Sequence, residues 1–229
     1  LALLLHIDTS STRAFIVLSN GENCIISITN NEQKTHASFV QPAILEIFSK
    51  SIFSLADIDA VSVVAGPGSY TGLRVGMASA KGICYALNKP LILLDTLALM
   101  ALAAINAPAY KNFQGLYCPM IDARRMEVFT AIFNRQLEPI LEPRALVLQA
   151  DSLENSLLKN SILFVGDGAE KFKKINTNPN AFFDGLLYDE NTIIQLAFRA
   201  FSKNNFASLA YSEPLYVKEF YSMSPGQKH

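Results

Sequence analysis

The chain has 229 residues, half of them hydrophobic and 17% charged, with a net charge of −1. That length allows one large domain or two lobes with separate cores, and the balanced charge excludes a global basic field that would draw the chain to nucleic acid. The charged share lies below the usual quarter or so, which fits two well-filled α/β cores and also a large apolar patch covered by another protein. Cys24, Cys84 and Cys118 stand far apart with no C-x-x-C spacing, as expected of a reduced, cytoplasmic chain without a zinc knuckle.

The apolar start, Leu1 to Ile7, meets Asp8 at once and has no basic flank, so it reads as a strand and not a signal peptide. Ala2–Ile7, Ala14–Ser19 and Cys24–Thr29 read as three strands, the last two joined by the hairpin signal Asn20-Gly21-Glu22-Asn23. His36 to Phe53 has helical spacing at Phe39, Val40, Ala43, Ile44, Ile47 and Phe48, with Pro42 inside it. A continuous apolar strand, Ala60–Ala65, empties into Gly66-Pro-Gly-Ser-Tyr-Thr-Gly72. A small-residue helix follows to Leu87, then strand Leu91–Leu94 and helix Thr96–Ala107. The longest apolar run, Leu97–Ile105, falls well short of a membrane span.

After the linker Asn106–Gly115 the order begins again. Strands are expected at Leu116–Ile121, Val128–Asn134 and around Leu146–Leu148, then helix Ser152–Lys159, strand Ile162–Val165 and helix Thr192–Phe206. Asn176 to Tyr188 reads as a weakly patterned loop, and Glu213 to His229 as a Tyr-, Pro- and Ser-rich end that is part tail. The recurring βββαβα order predicts two lobes, 1–107 and 108–229, each a mixed sheet with flanking helices. That plan resembles the actin-like superfamily of ATPases and sugar kinases.

The glycine loop opens a helix, a setting suited to an anion or to a close backbone. Its G-x-G-x-x-x-G spacing is neither a Walker A loop nor a dinucleotide fingerprint. Gly72, Gly76 and Ala80 share one helix face, and glycine inside a helix costs about 1 kcal/mol against alanine. This stripe needs a close neighbour, either its own lobe or a helix of another chain, and both readings stay open. In the superfamily, the turn after the first strand holds phosphate with an aspartate and a glycine. Here Asp8 is present and Ser10 stands in the glycine's place. The matching turn, Ile121 to Glu127, also lacks glycines, and Gly166-Asp167-Gly168-Ala169 resembles one adenosine loop. Asp8, Ser10 and Gly168 are therefore candidates for a remnant nucleotide pocket, with no intrinsic ATP turnover expected. His6, His36 and His229 form no ligand pair, so no metal site is expected, and no G-x-S-x-G elbow surrounds Ser69.

Gly66-Pro-Gly-Ser-Tyr-Thr-Gly-Leu-Arg-Val-Gly76 through Ala80-Lys-Gly82 resembles the signature of the TsaB (YeaZ) family and its catalytic relatives, the TsaD proteins. Ile7-Asp-Thr-Ser10, Ile121-Asp-Ala-Arg124 to Glu127-Val128, Gly166-Asp-Gly-Ala169 and Pro214-Leu-Tyr-Val-Lys218 are similar to TsaB elements in the same order. Tyr70 and Lys218 depart from the usual Phe and Arg. The catalytic relatives carry a histidine pair where this chain reads Leu94 to Met100, so the resemblance is to the accessory family. It implies a two-lobed actin-like (ASKHA) fold and a non-catalytic subunit in making threonylcarbamoyladenosine beside the tRNA anticodon. It further implies pairing with a TsaD-like catalytic subunit, recruitment of a TsaE-like ATPase, and tRNA contact through the complex. Self-association when the partner is absent stays open. No cofactor is expected, beyond ATP or ADP at a partner interface. The expected partner surface comprises Phe39, Ala43, Ile47, Gly72, Arg74, Gly76, Met77 and Ala80, on the helices 36–53 and 72–87.

Overall fold

The computed structural model describes residues 2–217. Strands β1 (Leu3–Asp8), β2 (Ala14–Asn20) and β3 (Asn23–Asn30) form an antiparallel meander, and Gly21 takes φ 61° in its second turn. Then come α1 (His36–Lys50), β4 (Ala60–Gly66), α2 (Tyr70–Leu87), β5 (Leu91–Asp95) and α3 (Thr96–Asn106). Beyond the 107–115 connection, β6 (Leu116–Asp122), β7 (Glu127–Phe133) and β8 (Pro139–Val147) make a second meander. It leads into α4 (Glu154–Leu157), β9 (Ile162–Val165), α5 (Ala169–Lys173), β10 (Ala181–Asp184) and α6 (Glu190–Ser202).

The sheets run β3-β2-β1-β4-β5 and β8-β7-β6-β9-β10, so one topology occurs twice, antiparallel at one end and parallel at the other. The repeat is fuller than the sequence pattern suggests, because β10 lies inside the segment expected to be a loop. Its Ala-Phe-Phe run is too short to carry a period, but Phe183 stacks on Phe164 at 5.2 Å and meets Phe172 at 6.1 Å. Other boundaries shift for local reasons. α1 runs through Pro42 and stops at Lys50, before the expected Phe53, where the Ser51 hydroxyl accepts the Phe53 N–H in a competing turn. The expected helix 152–159 shrinks to one turn, and α6 ends at Ser202, short of Phe206. β8 begins at Pro139 on a mostly exposed sheet edge, where no continuous apolar run marks it. The expectation for the carboxyl end beyond Val217, Lys218 included, falls outside the described residues.

Burial follows from which helix covers which face. α1 and α2 cover the outer face of the first sheet through Val40, Ala43, Ile44, Ile47, Met77 and Ala80. α4 and α5 cover the outer face of the second through Leu157, Ala169 and Phe172. α3 and α6 lie between the sheets. α3 has no polar face to give to water: Leu97 and every residue from Leu99 to Ala104 are buried. It rests mainly on β6, while α6 returns to β5 and β3 of the first sheet. The high apolar share is thus largely used in a central layer joining Leu4, Phe15 and Leu94 to Tyr117, Phe133 and Val165.

One polar group is built into the first sheet. His6 is fully buried, with Nδ1 2.7 Å from the Ser62 hydroxyl and Nε2 2.8 Å from that of Ser19. Burial pulls its pKa down to about 3. The folded chain therefore keeps a neutral ring at pH values where the unfolded chain protonates it. The resulting stability is complete above about pH 6.5 and is lost as pH falls toward 3, by roughly 1.4 kcal/mol per unit. Replacing His6 by Asn removes that proton. Urea unfolding at pH 7, 5.5 and 4.5 should show a shallower loss of stability on acidification than in the parent chain.

Candidate functional site

The turn after β1 is where the elements converge. Asp8 ends the strand fully buried; its Oδ1 accepts the Ser10 N–H at 2.8 Å and its Oδ2 the Tyr188 hydroxyl at 2.8 Å. The Ser10 hydroxyl lies 3.2 Å from the same tyrosine oxygen, and Arg13 donates to the Tyr188 carbonyl. Burial raises the Asp8 pKa, against the lowering effect of the Ser10 and Tyr188 hydrogen bonds. Beside it, His36 is buried at the start of α1; burial lowers its pKa and the Asp8 charge opposes this.

The glycine loop closes over this turn from the other side. The Ser69 N–H donates to the Ser10 carbonyl at 2.7 Å, and the Thr9 hydroxyl donates to the Gly72 carbonyl at 2.6 Å. A Cβ on Gly68 would overlap the Ser10 carbonyl, and one on Gly72 the Thr9 carbonyl. On Gly76 it would lie 2.6 Å from the Thr9 hydroxyl. The small-residue stripe thus has its close neighbour inside the chain, and this loop's donor at Ser69 is already engaged.

Between the sheets a cleft of about 700 Å³ is lined by Ser10, Arg13, Ser69, Thr96, Arg124 and Tyr188, among others. Of the three pocket candidates, only Ser10 faces it. Asp8 is held beneath Tyr188, and Gly168 is packed against Met120, Ile121 and Val128. On the far wall, Asp122 Oδ1 accepts the Arg124 N–H and the Lys171 ammonium, both at 2.6 Å. Burial alone would raise the Asp122 carboxyl, but Lys171 and Arg124 hold it below its usual value. Among the described residues no group of three His, Cys, Asp or Glu side chains is placed to hold a metal ion. Sequence reasoning missed Tyr188. It falls in the weakly patterned loop, and its partner Asp8 is 180 positions away.

The expected partner surface needs correction. Ala43, Ile47, Gly72, Gly76, Met77 and Ala80 are buried within the chain, because these positions are the ones that pack on the first sheet and the Thr9 turn. Phe39 is half-buried and Arg74 is exposed; its guanidinium lies 4.0 Å over the Tyr70 ring, and its Nε donates to the Tyr216 hydroxyl. What the same helices turn outward is different: Leu45 is 73% exposed and Tyr85 83%, with Ile52 just past α1. Gln41 Nε2 donates to the Ser79 hydroxyl at 3.1 Å, setting α1 beside α2, and Gly82 faces open space one turn further on.

Against known proteins, the family model described as "TsaD: tRNA N6-adenosine threonylcarbamoyltransferase" matches residues 24–219. The tRNA threonylcarbamoyladenosine biosynthesis protein TsaB of Bacillus subtilis is 30% identical over 176 residues, spanning 75% of this chain and 74% of that protein. Among solved structures, YeaZ from Pseudomonas aeruginosa aligns with a TM-score of 0.76 at 23% identity, over 94% of this chain and all of that one. An Arthrobacter polyphosphate/ATP-glucomannokinase aligns at 0.50 and 12% identity, over 89% of this chain and all of that one. The likenesses place the fold among the two-lobed, actin-like proteins.

The glycines of α2 should separate by experiment. Gly72→Ala forces its methyl into the Thr9 carbonyl and should destabilise the chain by about 2–3 kcal/mol. Gly82→Ala meets nothing and should stabilise it by roughly 0.5–1 kcal/mol. Equilibrium urea unfolding of the two variants checks both signs.

Proposed function

The chain belongs to the TsaB family of tRNA threonylcarbamoyladenosine biosynthesis proteins, and on that premise we propose that it serves this modification as a non-catalytic subunit. It pairs with a TsaD-like catalytic chain and helps recruit a TsaE-like ATPase, and tRNA is engaged by the assembled complex. The observation that carries this reading is the state of the Asp8 turn. The carboxylate and the Ser10 hydroxyl lie against Tyr188, and the glycine loop lies against Thr9 and Ser10. Phosphoryl transfer depends on positioned donors converging on phosphate oxygens, and here the Asp8 carboxylate and the Ser69 N–H are taken up by their own chain, while the Ser10 hydroxyl at the cleft lies against Tyr188. No cofactor is assigned, and ATP or ADP is left to an interface with a partner.

The pairing surface is the outer side of α1 and α2. Leu45 and Tyr85 expose large apolar side chains there, and Gly82 leaves a smooth place for a partner helix to approach. The same side serves self-association when the partner is absent. Among the described residues no helix is long and apolar enough to cross a membrane, and a cytoplasmic site of action accords with the reduced cysteines.

Changing Leu45 and Tyr85 together to Glu places two charges on this side without touching the core. The melting temperature should stay within about 2 °C of the parent, since neither side chain is buried. Affinity for the catalytic subunit should fall at least tenfold, equal to about 1.4 kcal/mol, and threonylcarbamoyladenosine formation should fall with it. Unchanged affinity would place the interface elsewhere. Steady ATP turnover by the isolated chain, lost on Asp8→Asn, would instead favour a degenerate actin-like kinase.

A further inference from the structure

The tip of the β6–β7 hairpin has a feature that the pairing surface and the Asp8 turn leave without a role. Arg124 and Arg125 are consecutive, exposed and both in the left-handed region, at φ 69° and 49°. Glu127 N–H donates to the Arg124 carbonyl at 3.1 Å and Ala123 N–H to the Glu127 carbonyl at 3.1 Å, so the tip is a closed turn. Such backbone favours Gly, Asn or Asp, because a larger side chain crowds the following carbonyl. The same chain follows that rule at its β2–β3 hairpin, where Asn20-Gly21 makes the turn. Turn formation therefore does not account for two arginines.

Arg124 acts on Asp122 electrostatically, helping to lower its pKa, without closing an ion pair with it. Two ion pairs occur among the described residues, Lys50–Glu46 and Lys171–Asp122, and neither includes Arg124 or Arg125. Of the neighbouring aspartates, Asp122 is held by Lys171 and the Arg124 N–H, and Asp167 accepts the Asp122 N–H at 3.0 Å. Arg124 lines the cleft mouth with Arg13. Lys173, at the end of α5, and Lys174 add exposed cations on the helix that packs against β6. Arg124, Arg125, Lys173 and Lys174 thus place four exposed cations along this edge, beside the exposed carboxylates of Asp122, Asp167 and Glu170.

We infer that the Arg124–Arg125 tip, with Arg13 across the cleft mouth, contacts the phosphodiester backbone of the RNA on which the assembled complex acts. The inference rests on the function proposed above and adds a direct RNA contact from this chain. A guanidinium presents a planar fork that matches phosphate oxygens in pairs. Contacts of this kind fix position on the RNA without reading sequence.

The test replaces the tip by the residues its backbone prefers, Arg124→Asn together with Arg125→Gly. tRNA binding to the reconstituted complex is followed by fluorescence anisotropy from 50 to 300 mM salt. The melting curve of the chain and its affinity for the catalytic subunit are measured alongside. Melting should be unchanged or higher, and partner affinity unchanged. tRNA affinity at the lowest salt should fall about tenfold, and the log–log salt slope should become shallower by about 1 to 2, one step per lost phosphate contact. Unchanged tRNA affinity and slope overturn the inference. So does a lower melting temperature, which would make the arginines structural, and so does a selective loss of partner affinity, which would make the tip a protein contact. A parent complex that binds no tRNA at all would sink the proposed function as well, and is distinguished by appearing before any residue is changed.

Discussion

Two backbone carbonyls, those of Thr9 and Ser10, lie against the glycine loop and the first turns of α2, and most of the molecule's arrangement depends on that approach. It requires Gly68 and Gly72 to lack side chains, fixes the start of α2 over the end of β1, and takes up the Ser69 N–H. On its other side the same turn is held by Tyr188, whose hydroxyl reaches Asp8 and Ser10. The turn is a joint between two parts of one chain. The outward side of α2, displayed by the same clamp, is the surface proposed above for pairing.

The joint also explains how the two sheets become one body. α3 leaves the first sheet to rest on β6, and α6 leaves the second half to rest on β5 and β3. Tyr188 stands immediately before Asp189, which caps α6 by accepting the Thr192 N–H at 2.9 Å. Placement of α6 and occupation of the Asp8 turn are therefore one event in the chain. A central layer of buried residues is shared by both sheets.

Much of this was legible in the sequence where the signal is local. Continuous apolar strands, the Asn20-Gly21 turn and the repeated order gave the two sheets, and the glycine spacing gave a close approach at α2. The partner of that approach was not legible, because a glycine stripe says that something is near without saying what. Thr9 lies 63 positions before Gly72, and only the folded register brings them together. The same limit hid β10, whose aromatic contacts come from β9 and α5, and Tyr188, whose partners are on the first strand's turn. It also drew the expected partner residues from the apolar stripe. Helical periodicity marks an apolar face, and in α1 and α2 that face is the one the sheet covers, so the exposed Leu45 and Tyr85 stand off the stripe that drew attention.

The central claim is that this chain meets its catalytic partner through the outer side of α1 and α2 and not through its cleft. Amide hydrogen exchange on the chain with and without its catalytic partner tests it most directly. The account predicts added protection in residues 38–50 and 78–87, with the turns 8–13 and 122–127 unchanged by the partner protein alone. Protection confined to those two turns, with the helices exchanging as before, would contradict it.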